Sequence, residues 1–151
     1  MTSKVIFKGR TKNSPIWIHQ QQDILQLKFD PVATQSEINC QQPQQLRMLN
    51  LQYLMGILMF MHQPKKILML GVGGGSLVHF IRHHLPQAHI TGIEYDAELL
   101  DIAQQHLLLP QPDQRLSYII EDARHYIENC QQSFDLIIVD IFDGSQTPQW
   151  I

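Results

Sequence analysis

The rhythm of hydrophobic and polar positions changes twice along the chain. Up to residue 42 the apolar residues come in short β-prone groups, Val5–Phe7, Ile16–Ile18 and a run from Ile24 to Phe29 that closes at Asp30-Pro31. The polar stretch His19–Asp23 reads as a turn between strands, so residues 1–42 are expected to form a small β-hairpin or β-meander. At Pro43 the spacing becomes helical. Leu46, Leu49, Tyr53, Leu54, Ile57, Leu58 and Met61 fall on one stripe, which predicts a lead helix over 43–62, ended by Gln63-Pro64 and packed through a Met-rich face. From Lys65 onward short apolar runs alternate with helical stretches. Ile67–Leu70, Ile90–Ile93, Leu116–Ile120 and Leu136–Val139 read as strands, and Ser76–Leu85, Ala97–Leu109 and Ala123–Cys130 as helices. The strands show no clean alternation, as expected when helices cover both faces, and strand–helix–strand succession predicts a parallel sheet. The fold class is therefore α/β, a Rossmann-like parallel sheet over 43–151 preceded by the meander.

Composition adds little to this picture except by exclusion. The 151 residues suit one compact domain, and 44% hydrophobic content suits a globular core. A net charge of −3 argues against a nucleic-acid or membrane-surface partner, since both usually demand a basic patch. Charge is low because the chain carries twenty glutamines, which bring no chemistry of their own. Cys40 and Cys130 match no metal or redox spacing and read as free thiols of a reducing cytoplasm. The first ten residues lack the apolar core of a signal peptide, and the apolar run Tyr53–Met61 is too short to span a bilayer. The expected location is cytoplasmic. The eight histidines form no ligand set, so no metal is expected.

Four features carry chemistry. The first is the turn Gly71-Val72-Gly73-Gly74-Gly75 between a strand and a helix, where glycines allow a sharp turn and close approach of a ligand. It suits NAD, FAD and sulfonium nucleosides alike. NAD is disfavoured because the third glycine of a G-x-G-x-x-G fingerprint falls at Ser76. The second is Glu94, at the end of the next strand and about 20 residues on, whose two oxygens match a ribose diol; the alternative is a solvated loop acid. The third is Asp122-Ala123, placed to meet the amino group and a ring nitrogen of adenine; Asp122 also reads as a helix N-cap. The fourth is the pair Asp140 and Asp143 after the last strand. Neighbouring acids raise one another's pKa, and one of them could serve as a base toward an ammonium nucleophile.

In these residues the chain resembles the spermidine synthase family, aminopropyltransferases with a class I methyltransferase-type fold. The resemblance runs from Pro64 to Asp143: Pro64-Lys65-Lys66 and a strand before GVGGGS, Glu94-Tyr95-Asp96, Asp122-Ala123, and FDLIIVDIFD over Phe134–Asp143. The meander and lead helix also look like the family's N-terminal region, with Gln35 in the place of its I-Q turn. The resemblance implies an S-adenosylmethionine or decarboxylated S-adenosylmethionine co-substrate. Gly71, Gly73, Gly74 and Gly75 would face its methionine-derived part, Glu94 and Tyr95 its ribose side and Asp122 and Ala123 its adenine, with Gln35 beside them. Asp140 would be the base for the incoming amine and Asp143 would support it.

Two positions depart from the family's pattern. The acid inside its glycine turn, which holds the amino group of the aminopropyl chain, is Gly74 here, and its Tyr-His or Tyr-Gln pair on the preceding helix falls near Leu49-Asn50. Methyl transfer to an unknown acceptor is therefore a rival reading, although Met69 stands where methyltransferases usually carry an acid. A non-catalytic nucleoside-binding or scaffold protein is a third. The fold implies about seven strands in an order beginning 3-2-1-4, of which four are legible. An apolar sheet edge is thus expected at Leu136–Val139, as in a truncated form or one covered by a partner copy in a homodimer.

Overall fold

The computed structural model describes residues 3–61 and 63–141. Four antiparallel strands come first: β1 (Lys4–Arg10), β2 (Pro15–Gln21), β3 (Ile24–Lys28) and β4 (Thr34–Asn39), in the order β1-β2-β3-β4. This is the expected meander, with two differences. The β2–β3 turn is only Gln22-Asp23, with Gln22 at φ 53°, because His19–Gln21 stay paired with Gln26–Ile24. A fourth strand, β4, occupies the polar segment around Gln35, so that residue lies in a strand and not in a turn. Its polar sequence hides a strict alternation: Ser36 and Ile38 face inward, as do Ile16 and Ile18 of β2 and Leu25 and Leu27 of β3.

The lead helix is much shorter than predicted. Helix α1 spans Leu49–Met55 and passes into a 3₁₀ turn, Gly56–Met59, while residues 43–48 form turns held by bonds such as Gln45 N–H to Gln42 O (3.0 Å). No side-chain hydrogen bond caps its start, and Gly56, a weak helix former in the middle of the predicted span, is its C-cap. The helical phase therefore changes partway, and the predicted stripe breaks up. Leu46, Leu51 and Met55 are buried, whereas Leu49, Tyr53, Ile57, Met59 and Phe60 are exposed.

The second sheet follows the predicted alternation closely. Strands β5 (Lys66–Leu70), β6 (His89–Glu94), β7 (Leu116–Ile120) and β8 (Leu136–Val139) are parallel in the order β7-β6-β5-β8. They are linked by α2 (Ser76–His84), α3 (Ala97–His106) and α4 (Ala123–Asn129). Helix α3 stops three residues early. Leu108 turns to φ 60°, which sends Leu107 and Leu109 into the core while Leu108 itself stays exposed.

One large core unites the inner face of the meander, α1, α2 and α3 with one face of the parallel sheet, including Ile67, Met69, Ile90, Leu116, Leu136 and Ile138. The opposite sheet face has a smaller cluster, Leu68, Leu70 and Ile93, covered by α4 residues Ala123 and Tyr126. Only the central strands are sealed on both faces as expected. On β8, Leu136 and Ile138 are buried, but Ile137 is 52% and Val139 38% exposed. Among the described residues β8 is an edge strand, paired with β5 alone. No helix among them is long and apolar enough to cross a membrane.

Candidate functional site

The C-terminal ends of β5, β6, β7 and β8 bring Gly71–Gly75, Glu94–Asp96, Glu121–Ala123 and Asp140 to one edge of the sheet. Ligands of open α/β folds bind at this edge. Here the strand order also reverses, since the chain moves outward from β5 to β6 and β7 and then returns to β8 on the other side of β5.

The glycine turn is built by close contacts. Gly71 sits at φ 88°, its N–H bonds Ile93 O at 2.9 Å, and a Cβ there would lie 2.3 Å from the carbonyl oxygen of Asp140. Only glycine allows both the left-handed backbone and the approach of the β8 end. Gly75 at φ 89° is the N-cap of α2. Gly74 is set differently. Its backbone suits any residue, but a Cβ would lie 2.5 Å from Ser36 Oγ and 2.6 Å from Ser36 Cβ. Ser36 Oγ in turn lies 2.7 Å from Ser76 Oγ, and Ser76 Oγ–H donates to Glu37 O at 3.1 Å. The meander thus fills the space beside the turn where the family pattern has an acid. Gly73 is open: among the described residues, no atom beyond its chain neighbours lies within 4 Å of the position of a Cβ.

Glu94 is no solvated loop acid. It is 8% exposed, and its carboxylate joins two turns. Oε2 accepts the N–H groups of Val72 and Gly73, both at 3.2 Å. Oε1 accepts those of Tyr95 at 3.0 Å and Asp96 at 3.2 Å. The two bonds to Oε2 sit at the long limit for N–H···O contacts, so this oxygen is the one a competing hydroxyl can claim. Tyr95 itself is exposed.

The remaining predicted residues are placed as follows. Asp122 is the N-cap of α4, its Oδ1 accepting from Arg124 N–H (2.9 Å) and His125 N–H (3.1 Å). Ala123 packs its methyl on the Leu68, Leu70 and Ile93 cluster. Asp140 donates its N–H to Leu70 O at 2.9 Å, and its half-buried carboxylate has no hydrogen-bond partner among the described residues. Burial pushes its pKa above the ordinary carboxylate value, which suits a proton acceptor. Gln35 is half-buried, but strand alternation sets it on the face of β4 opposite Ser36, the residue that reaches the glycine turn. Asp143 lies outside the described residues. Two shallow cavities of about 280 and 340 Å³ open along α2, near His79 and Phe80, and contain none of the candidate residues. Cys40 and Cys130 are both unpaired.

Three site-building residues have a structural role that the sequence reading does not assign them. Ser36 and Ser76 shape the turn, and neither carries a local signal. Asp96, buried at 7%, caps α3 by accepting Leu99 N–H at 3.1 Å; an Asp immediately before an apolar-periodic run is a readable N-cap signal.

Comparison with known proteins agrees with this geometry. A spermine/spermidine synthase domain is matched over residues 49–150. The polyamine aminopropyltransferase of Chromobacterium violaceum is 30% identical over 129 residues, which cover 85% of this chain and 49% of that protein. The fold is shared with a probable spermidine synthase from Corynebacterium glutamicum, at a TM-score of 0.83 and 24% identity over 97% of this chain and 55% of the other. Human methyltransferase-like protein 13, solved in complex with SAH, gives a TM-score of 0.50 at 29% identity, over 60% of this chain and 42% of that one. The chain spans about half the length of the curated polyamine aminopropyltransferase it matches. On this match, with the α/β fold and motif positions described above, the chain belongs to the spermine/spermidine synthase domain family.

Proposed function

We propose that the chain binds an S-adenosylmethionine-type sulfonium nucleoside across the ends of β5, β6 and β7 and transfers its aminopropyl group to an amine. Glu94 carries the proposal. A buried carboxylate at the end of β6 faces the glycine turn through an oxygen held only by two long bonds. A ribose diol offers two O–H donors to such a group. Asp122 and the Ala123 backbone would meet the adenine, and the open side of Gly73 leaves room for the ribose–sulfur region. Tyr95 would flank the ribose and Gln35 the outer rim, with Gly71, Gly74 and Gly75 shaping the turn. In the transfer, the amine lone pair attacks the carbon bound to sulfur, the C–S electron pair leaves to give a thioether, and Asp140 accepts the ammonium proton. Asp143 would hold the acceptor. Family membership and the aminopropyltransferase relative support the transferred group and the acceptor class.

One observation favours a second reading, methyl transfer. The side of the glycine turn is filled by Ser36, so no carboxylate there can hold a cationic aminopropyl tail. Two measurements test the proposal. Calorimetry is expected to show binding of methylthioadenosine or S-adenosylhomocysteine, weakened in Glu94→Ala. Assays then offer decarboxylated S-adenosylmethionine with putrescine, and S-adenosylmethionine with a panel of acceptors. Propylamine transfer supports the first reading and methyl transfer the second. Binding without either reaction leaves a nucleoside-binding protein, and no binding of any of these nucleosides refutes the proposal.

A further inference from the structure

The meander grips the starts of α2 and α3, two of the three helices that begin at the candidate site. Ser36 and the Glu37 carbonyl hold Ser76, the first residue of α2. The β1–β2 turn holds the start of α3. There Asp96 Oδ2 accepts Thr11 Oγ1–H at 2.6 Å and Asn13 Nδ2–H at 3.0 Å, and Glu98 Oε2 accepts Lys12 N–H at 2.8 Å. Thr11 is 3% and Asp96 7% exposed, and they stand 85 residues apart in sequence. The buried Asp96 carboxylate has no cation among these partners. Its charge is carried by three donors, Leu99 N–H, Thr11 O–H and the Asn13 amide, and two of the three come from the meander. Thr11 also organises its own turn, since Oγ1 accepts Asn13 N–H and Ser14 N–H, each at 3.2 Å. The backbone of Asp96 is in turn one of the two donors that fix Glu94 Oε1.

We infer that Thr11 and Asp96 are positioning residues for Glu94. The β1–β2 turn, which holds none of the candidate ligand-contact residues, sets where the proposed ribose-binding carboxylate stands. The inference rests on the nucleoside reading above. With the Thr11 hydroxyl removed, Asp96 must recruit another donor or turn toward water, and either moves the Glu94–Asp96 turn to which Glu94 Oε1 is tied.

The test compares affinities for methylthioadenosine and its 2′,3′-dideoxy analogue by calorimetry, in the wild type, Thr11→Val, Thr11→Ser and Asn13→Ala. The wild type is expected to favour the ribonucleoside. In Thr11→Val this preference is expected to fall roughly two- to tenfold, the lower part of the coupling range of residues sharing a hydrogen-bond network, and to return in Thr11→Ser. A merely structural role would lower the melting temperature and weaken both ligands equally, leaving the ratio unchanged; that result overturns the inference. If Thr11→Val does not fold, Asn13→Ala removes one donor from the same carboxylate and must lower the ratio in the same direction. A wild type that binds both ligands equally, or neither, overturns the ribose role of Glu94 and this inference with it. A wild-type preference that no meander variant alters overturns this inference alone.

Discussion

Replacing Glu94 by glutamine keeps the side chain's shape and removes one acceptor oxygen. The carboxylate accepts four backbone N–H groups at 3.0–3.2 Å, two on each oxygen. Whichever way the amide is turned, two of the four donors come to face an NH₂ group and lose their acceptor. Hydrogen bonds to a charged group are worth about 1.5–3 kcal/mol each, and the length of these bonds puts them at the low end, so the loss is about 3 kcal/mol. For a domain of this size that corresponds to a fall in melting temperature of roughly 6–12 °C. Urea denaturation of ligand-free protein, with an unchanged m-value, gives the free-energy difference directly. An unchanged or increased stability refutes the reasoning. It would mean that Glu94 serves a ligand at the expense of the fold and that its four bonds contribute nothing to holding the two turns together.

Gly74→Ala places a methyl 2.5–2.6 Å from Ser36 and is expected to destabilise by about 1–3 kcal/mol, with Ser36→Gly restoring stability in the double variant. Asp140 has a raised pKa from burial, so the folded state favours its protonated form; that preference is full below about pH 3.8 and is lost as pH rises through the folded pKa. Asp140→Asn is therefore expected to melt higher than wild type at pH 7, with the difference vanishing below pH 3.8, while turnover falls. Asp113 titrates in the opposite sense. The paired Arg82 guanidinium, at 2.6 and 3.2 Å, and the Arg115 N–H hold its pKa down to about 2, so its contribution is present above pH 3.8 and lost toward pH 2. Acid titrations of stability are expected to lose that slope in Asp113→Asn.

Where structure follows from local rhythm, the sequence was a sound guide. The β5–β8 alternation, the glycine turn and the N-cap at Asp122 all depend on residues adjacent in the chain, and the strand order is the one that the family resemblance implies. What escaped depends on distant partners. β4 is a polar segment that becomes a strand because β3 offers it an edge and a core to alternate against. The lead helix is shorter than its apolar stripe suggests because the stripe runs through Gly56, where the α-helix gives way to a 3₁₀ turn and the phase changes. The site was half legible. Residue types at the strand ends were readable, but the saturation of Glu94 and the occupation of the space at Gly74 arise from backbone groups and from Ser36.

The saturation of Glu94 also limits what a ribose can gain there. On the nucleoside reading, a diol exchanges bonds at this carboxylate and does not simply add them, because each oxygen already accepts two N–H groups. The exchange is cheapest at Oε2, where both bonds are long and where Gly73 borders open space. The released Val72 and Gly73 N–H groups then point at the ligand, and binding is favourable only if it carries an acceptor within their reach. Amide resonances are therefore expected to shift most at Val72 and Gly73 on titration with methylthioadenosine, and less at Tyr95 and Asp96, whose bonds to Oε1 stay in place. Larger shifts at Tyr95 and Asp96 would place the exchange on the other oxygen. The ribose would then enter from the α3 side, and the glycine turn would lose its part in holding it.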